Sequence, residues 1–206
     1  TDHAVSAAKQ AEAIGADGLL AVTPYYNKCT QNGLYAYYKS ICEAVKIPVI
    51  AYNVPSRTGV NIQPATMARI AEIPNMAGIK DAGGNMSQTM EIFRFIRGKC
   101  DLYSGEDALN FPILAVGGSG VISVLSNVVP ADVKKLYTLI KEGRTEEACA
   151  LQDKLLPLSQ ACFLEVNPIP AKAAMNLLGF DAGTPRAPLS EIEPNNKEKL
   201  RKAMSD

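Results

Sequence analysis

The sequence predicts an α/β protein, a (β/α)8 TIM barrel lacking its first three strands in this chain, with a C-terminal helical extension. Three observations carry the prediction. Short apolar runs alternate with stretches of helical spacing. Each cycle takes roughly 20 to 30 residues, the length of a parallel strand with its right-handed crossover. Polar residues recur at the C-terminal end of run after run, the face on which barrel enzymes hold their chemistry. An open doubly wound sheet would gather reactive groups near one switch point instead.

The chain begins with a helical pattern over 4–14, for which Thr1 or Asp2 is the cap. Five apolar runs follow at 18–23, 47–52, 76–80, 101–104 and 120–123, and each reads as a strand buried on both faces. Thr23, Tyr52, Lys80, Ser104 and Ser123 close these runs in turn. Helical spacing occupies 33–45, 63–73, 87–97, 107–116 and 131–142. After Gly143 the strand patterns stop, and 145–161, 170–178 and 194–204 read as helices joined by proline-containing loops. The expected organisation is a partial barrel over 1–143, carrying strands four to eight, and a helical region over 144–206. A complete barrel of this type takes about 250 residues, so the chain is expected to be roughly three strand–helix units short at its N-terminus.

Composition narrows the classes of function. The 206 residues are 47% apolar, enough for one sizeable core or two modest ones. Twenty-one basic and twenty-one acidic side chains cancel, which leaves no basic field for nucleic acid or an anionic membrane and points to small, neutral or acidic ligands. The five cysteines include no CxxC pair and are odd in number, against a zinc knuckle or a disulfide framework and in favour of a reducing cytoplasm. No apolar stretch approaches the roughly 18 residues of a membrane span, and the polar start is not a signal peptide.

Lys80 closes a buried run directly before Asp-Ala-Gly-Gly. An ammonium costs several kcal/mol to desolvate, so a lysine there either pairs with a carboxylate such as Asp81, snorkels from the strand end, or gives up its proton and becomes a Schiff-base former. For that last role burial must lower its pKa from about 10.4 toward roughly 7 to 8. The imine formed on a keto group withdraws electrons, so the neighbouring carbon can lose a proton and become a nucleophile. Protons must be shuttled in and out, and Tyr52, one strand earlier, carries a phenol that both donates and accepts; the alternative is a core tyrosine. Arg57 lies in a Pro-Ser-Arg-Thr-Gly loop that would aim a bidentate carboxylate clamp inward, or remain a solvated charge. Gly117-Gly-Ser-Gly120 could cradle phosphate, but it lacks the Lys-Ser/Thr of a P-loop and reads better as a turn.

Several motifs occur in order along the whole chain: Thr23-Pro-Tyr-Tyr-Asn27, Tyr52-Asn-Val-Pro-Ser-Arg-Thr-Gly59, Gly78-Ile-Lys-Asp-Ala82, Gly117-Gly-Ser-Gly-Val-Ile-Ser-Val124 and Asn167-Pro-Ile-Pro170. Together they resemble the 4-hydroxy-tetrahydrodipicolinate synthase (dihydrodipicolinate synthase) family, one of the pyruvate-dependent class I aldolases that include N-acetylneuraminate lyase. The resemblance implies condensation of pyruvate with L-aspartate 4-semialdehyde on an imine at Lys80, with Tyr52 in the proton relay. Arg57 would bind the carboxylate of the semialdehyde. Tyr26 would reach across a dimer interface to complete the partner's relay. Ile122, through its backbone carbonyl, and Gly105, through close backbone approach, would face the pyruvate. Tyr25 would line an interface region where lysine can bind as feedback inhibitor, and His3 stands where lysine-sensitive members carry an acidic residue. The resemblance further implies a cytoplasmic homo-oligomer, a dimer or a dimer of dimers, and no metal or organic cofactor, because the imine is the electron sink. Two alternatives remain at this level: a pyruvate-dependent sugar-acid aldolase, and an inactive truncated fragment that only oligomerises.

Overall fold

The computed structural model describes residues 1–205. In chain order the elements are α1 (Asp2–Ala13), β1 (Leu19–Val22), α2 (Gln31–Ala44), β2 (Val49–Asn53), α3 (Pro55–Thr58), α4 (Pro64–Ile70), β3 (Met76–Asp81), α5 (Met86–Ile96), β4 (Asp101–Ser104), a 3₁₀ turn (Asp107–Leu109), α6 (Asn110–Ala115), β5 (Gly120–Val121), a second 3₁₀ turn (Leu125–Asn127), α7 (Pro130–Lys141), α8 (Thr145–Ala161), α9 (Ile169–Leu177) and α10 (Pro194–Ser205). Local chemistry sets many of the boundaries. Thr30 and Asn85 cap α2 and α5, accepting hydrogen bonds from the N–H groups of Gly33 and Gln88. Proline occupies the first turn of α3, α4, α7 and α9, where its missing N–H has no partner to lose. The helix expected over 107–116 is divided between a 3₁₀ turn and α6, and the fifth strand is only two residues long.

Two compact units form: Thr1–Glu106 with Val116–Ile122, and Asp107–Ala115 with the segment from Ser123 onward. The first holds a five-stranded sheet in the order β1-β2-β3-β4-β5, with every neighbouring pair parallel. Consecutive order is what a barrel wall requires, whereas a doubly wound sheet reverses direction at its switch point. The register aligns Ala51 with Ile79 and Ile79 with Leu102; one position on it aligns Tyr52, Lys80 and Tyr103, and the next aligns Asn53, Asp81 and Ser104.

The expectation that each strand is buried on both faces needs correction. Val49, Ala51, Ile79 and Leu102 are wholly buried, as are Met67 and Ile70 of α4 and Ile92 and Ile96 of α5. The alternate residues Ile50, Tyr52, Lys80 and Tyr103 are half-buried. At the sheet's edge, β1 leaves Leu20 47% exposed. Apolar content alone cannot distinguish a strand covered twice from one covered once.

In the second unit α7 and α8 bury Leu136, Leu139 and Ala148, with Phe111, Ile140 and Leu151 packed around them. A carboxyl oxygen of Asp107 accepts from the N–H groups of Val124 and Leu125, each at 2.9 Å, which caps the second 3₁₀ turn. The side chain of Gln152 accepts from the Phe111 N–H and donates to the Asp107 carbonyl. No helix among the described residues is long and apolar enough to cross a membrane.

Burial lifts the thiols of Cys42, Cys100 and Cys162 from 9.0 to about 11. Burial also drives the phenol of Tyr38 well above its usual value. Each of these groups keeps its proton in the folded chain at a pH where the unfolded chain has lost it. Their contribution to stability is therefore complete below pH 9.0 and is lost as pH rises toward 11. Urea midpoints are expected to fall between pH 9.0 and 11 after a level stretch at pH 7 to 8.5. A midpoint unchanged to pH 11 would contradict the assignment.

Candidate active site

Tyr52 and Lys80 sit directly opposite each other near the C-terminal ends of β2 and β3. Two parallel strands in register, each alternating with period two, necessarily place these side chains on the same face. The Lys80 Nζ lies 4.2 Å from the centre of the Tyr52 ring, within reach of the ring's π face. Gly105, just past β4, donates its N–H to the Asp81 carbonyl at 2.8 Å. A Cβ on Gly105 would lie 2.9 Å from both Cγ and Cε of Lys80 and 3.0 Å from Cβ of Ala82. The absence of a side chain at Gly105 therefore gives the lysine stem its path. Ile122 continues the line after β5, its N–H bonded to the Ser104 carbonyl at 2.8 Å.

Tyr25, Tyr26, Tyr52 and Arg57 line an open pocket of about 710 Å³. Arg57 belongs to α3, a single helical turn in place of the loop expected there; Pro55 starts it, and Gly59, at φ 70°, ends it by donating its N–H to the Pro55 carbonyl. Arg57 is exposed, yet its charge reaches Tyr52. Burial raises the Tyr52 phenol above its usual value and the charge of Glu106 adds to the rise, while Arg57 pulls partly back. Tyr52 is thus a neutral phenol at physiological pH, able to donate and to accept.

The pocket rim holds a strained backbone. Tyr26 has φ 68° and stands 91% exposed, at the centre of a three-residue turn closed by the Asn27 N–H on the Tyr25 carbonyl at 2.9 Å. A left-handed aromatic residue in such a turn is uncommon and costs energy, and strain of this kind concentrates at functional positions. Tyr25 beside it is 67% exposed. His3, in the first turn of α1, is exposed and is not part of the pocket lining.

The polar residues that close the strands do not share one face. Tyr52 and Lys80 project from the half-buried face, whereas Thr23 and Ser104 are fully buried at the level of Asn53 and Asp81. Ser123 lies beyond β5 and accepts from the Ser126 N–H. Asp81 is engaged on the buried face by Asn53, Gly83 and Thr89. Asn53 carries no mark in the sequence beyond its place one residue after Tyr52, the same as that of Asp81 after Lys80. The Gly117–Gly120 run is a turn into β5, its Ser119 N–H bonded to the Leu102 carbonyl.

A parallel barrel-type sheet thus brings a lysine and a tyrosine together at adjoining C-terminal strand ends, the face on which barrel enzymes hold their chemistry. The dihydrodipicolinate synthetase family matches residues 1–206, and the chain belongs to that family. The 4-hydroxy-tetrahydrodipicolinate synthase of Caldicellulosiruptor bescii is 52% identical over 206 residues, spanning 100% of this chain and 70% of the relative. Two solved structures are also similar. The chloride-inhibited dihydrodipicolinate synthase of Acinetobacter baumannii, complexed with pyruvate, is 40% identical with a TM-score of 0.94, covering 98% of this chain and 69% of that one. DHDPS of Cyanidioschyzon merolae with lysine bound is 39% identical with a TM-score of 0.95, covering 99% and 70%.

Proposed function

We propose that this chain is a Schiff-base lyase that condenses pyruvate with L-aspartate 4-semialdehyde to 4-hydroxy-tetrahydrodipicolinate, in lysine and diaminopimelate biosynthesis. The observation that carries the reading is the Lys80 amine 4.2 Å from the Tyr52 ring at adjoining strand ends. The pyruvate complex of the Acinetobacter baumannii relative and the name of the Caldicellulosiruptor bescii relative support it. Lys80 attacks the keto carbon of pyruvate and water leaves. The imine draws electrons from the methyl group, which loses a proton to give an enamine, and the enamine carbon attacks the aldehyde. The amino group of the semialdehyde then adds to the imine carbon and displaces the Lys80 amine, closing the ring and freeing the lysine. Tyr52 moves the protons that imine formation and release require. Arg57 holds the carboxylate of the semialdehyde, and the backbones at Gly105 and Ile122 face the pyruvate. The imine is the electron sink, so these steps use neither a metal nor an organic cofactor.

Tyr26, held outward by its strained turn, completes the relay of a second copy in a cytoplasmic homo-oligomer, a dimer or a dimer of dimers. Tyr25 lines the adjoining region where lysine binds in sensitive members, a site the lysine-bound relative supports; His3, in place of the acidic residue of those members, counts against inhibition by lysine.

Borohydride reduction in the presence of pyruvate is the test, read by intact mass and peptide mapping. One reduced pyruvate on Lys80 is expected. Aspartate semialdehyde added first is expected to lower the adduct by consuming the enamine, an effect weakened roughly 10- to 150-fold in semialdehyde concentration by Arg57→Ala, the value of a charge-assisted hydrogen-bond pair. No adduct, under conditions where a relative is labelled, would overturn the Schiff-base reading. A response only to sugar-derived aldehydes would move the assignment to the sugar-acid aldolases.

A further inference from the structure

Behind the reactive pair, on the buried face of the sheet, lies a second pair. Asn53 follows Tyr52, Asp81 follows Lys80, and the two are register partners just as Tyr52 and Lys80 are. Both are shut off from solvent, at 0% and 2% exposure. The Asn53 amide uses both hydrogens, one on Asp81 Oδ1 at 2.9 Å and one on Asn61 Oδ1 at 3.0 Å, while its oxygen accepts the Ile62 N–H at 3.0 Å. Asp81 Oδ1 also accepts from the Gly83 N–H at 3.2 Å, and Oδ2 from the Thr89 hydroxyl at 2.5 Å. Asn61 in turn pairs reciprocally with the Gln88 amide at 2.8 and 3.0 Å. One connected set thus joins β2, β3, the segment entering α4, and the first turns of α5.

We propose that Asn53 and Asp81 are positioning residues that set the Tyr52–Lys80 geometry from behind the sheet. The inference rests on the proposed Schiff-base reading for its chemical meaning, but its physical content is independent of pyruvate. Backbone hydrogen bonds alone leave a strand end free to fray or twist. A side-chain bond between the residues just after Tyr52 and Lys80 removes that freedom at the point where a small displacement matters. An apolar pair would fill the same space without fixing a spacing, because packing is not directional whereas hydrogen bonds are. Connected polar networks of this kind gain from mutual polarisation and define a single arrangement. Thr89 anchors the set to α5, so the helix that follows Lys80 holds the lysine's own strand.

The test uses Asn53→Ala, Asp81→Ala, the double variant and Asp81→Asn, each confirmed folded by circular dichroism well below its melting temperature. Two readouts run on every protein: the pH profile of Lys80 acetylation by acetic anhydride, mapped by mass spectrometry, and the rate of borohydride trapping at saturating pyruvate. Both alanine variants are expected to move the acetylation profile away from the parent's and to slow trapping about 100-fold, the effect of an ångström-scale misplacement. The double variant is expected to add little to either single in these two readouts, since both singles already remove the shared Asn53–Asp81 bond. Asp81→Asn, which retains an oxygen to accept from Asn53, is expected to recover most of the loss. Folded alanine variants that keep the parental Lys80 profile would overturn the proposal, even if they are less stable, because a merely structural role would move stability alone. A shifted profile in a protein whose parent takes no pyruvate would uphold positioning and defeat the Schiff-base reading.

Discussion

Arginine in place of Lys80 is expected to leave the fold intact and to abolish the pyruvate adduct. The substitution retains a positive charge against the Tyr52 ring, where the lysine nitrogen lies 4.2 Å from the centroid. Packing and the cation–π contact are therefore largely kept. What is lost is a nitrogen that can give up its proton and attack a carbonyl, because a guanidinium stays protonated at any accessible pH. Turnover is expected to fall at least about 10⁴-fold, with the melting temperature changed by only a few degrees. Intact mass after borohydride reduction checks it directly. If the arginine variant still acquired a reduced pyruvate or still condensed its substrates, the nucleophile would have to be sought elsewhere.

Gly105→Ala is expected to damage the same step by crowding. The new methyl would sit 2.9 Å from Cγ and Cε of Lys80, both on a flexible side chain that can swing aside. The Cβ of Ala82, 3.0 Å away, has no such freedom, so stability should fall by about 1 to 2 kcal/mol. The displaced amine no longer meets Tyr52 or the keto carbon in the reacting geometry, and trapping is expected to slow about 100-fold. Gly78→Ala, two residues before Lys80, provides the contrast. There the methyl would lie 2.7 Å from the backbone carbonyl of Asp101, which cannot move without parting β3 from β4. That variant should lose about 1 to 3 kcal/mol of stability, measured by urea denaturation. An alanine at Gly105 that unfolds the protein while sparing the trapping rate of the folded fraction would contradict the assigned path of Lys80.

Much of this arrangement is legible in the sequence because the strands are short, apolar and regularly spaced. The five runs fall within a few residues of the observed strands, and the helices of the C-terminal third are placed almost to the residue. Lys80 and Tyr52 stand out because an amine and a phenol close successive apolar runs inside motifs that resemble the family's, and the register sets the two side by side. Less legible is what depends on facing. Thr23 and Ser104 share the strand-end position with Tyr52 and Lys80 in a linear reading, but alternation sends them to the buried side. Arg57 appears to the eye as part of a loop, since four residues between Val54 and Gly59 are too few to show helical periodicity. Asn53 escapes notice for a different reason: one amide in an apolar stretch carries no sign of its partner, and that partner lies 28 positions along the chain.

The adjacency of Lys80 and Asp81 has a consequence for how the chain finds its fold. A slip of β3 by one residue against its neighbours would turn every side chain to the opposite face. The amine would then enter the closed core without the Asn53 and Thr89 contacts that receive the carboxyl group, and the carboxyl group would take the amine's place beside Tyr52. A stranded ammonium in an apolar core costs several kcal/mol, more than a slipped sheet could recover from its backbone bonds. The two neighbouring residues therefore act as a built-in proofreader of strand pairing: a misaligned sheet is penalised in the core and chemically silent at its mouth.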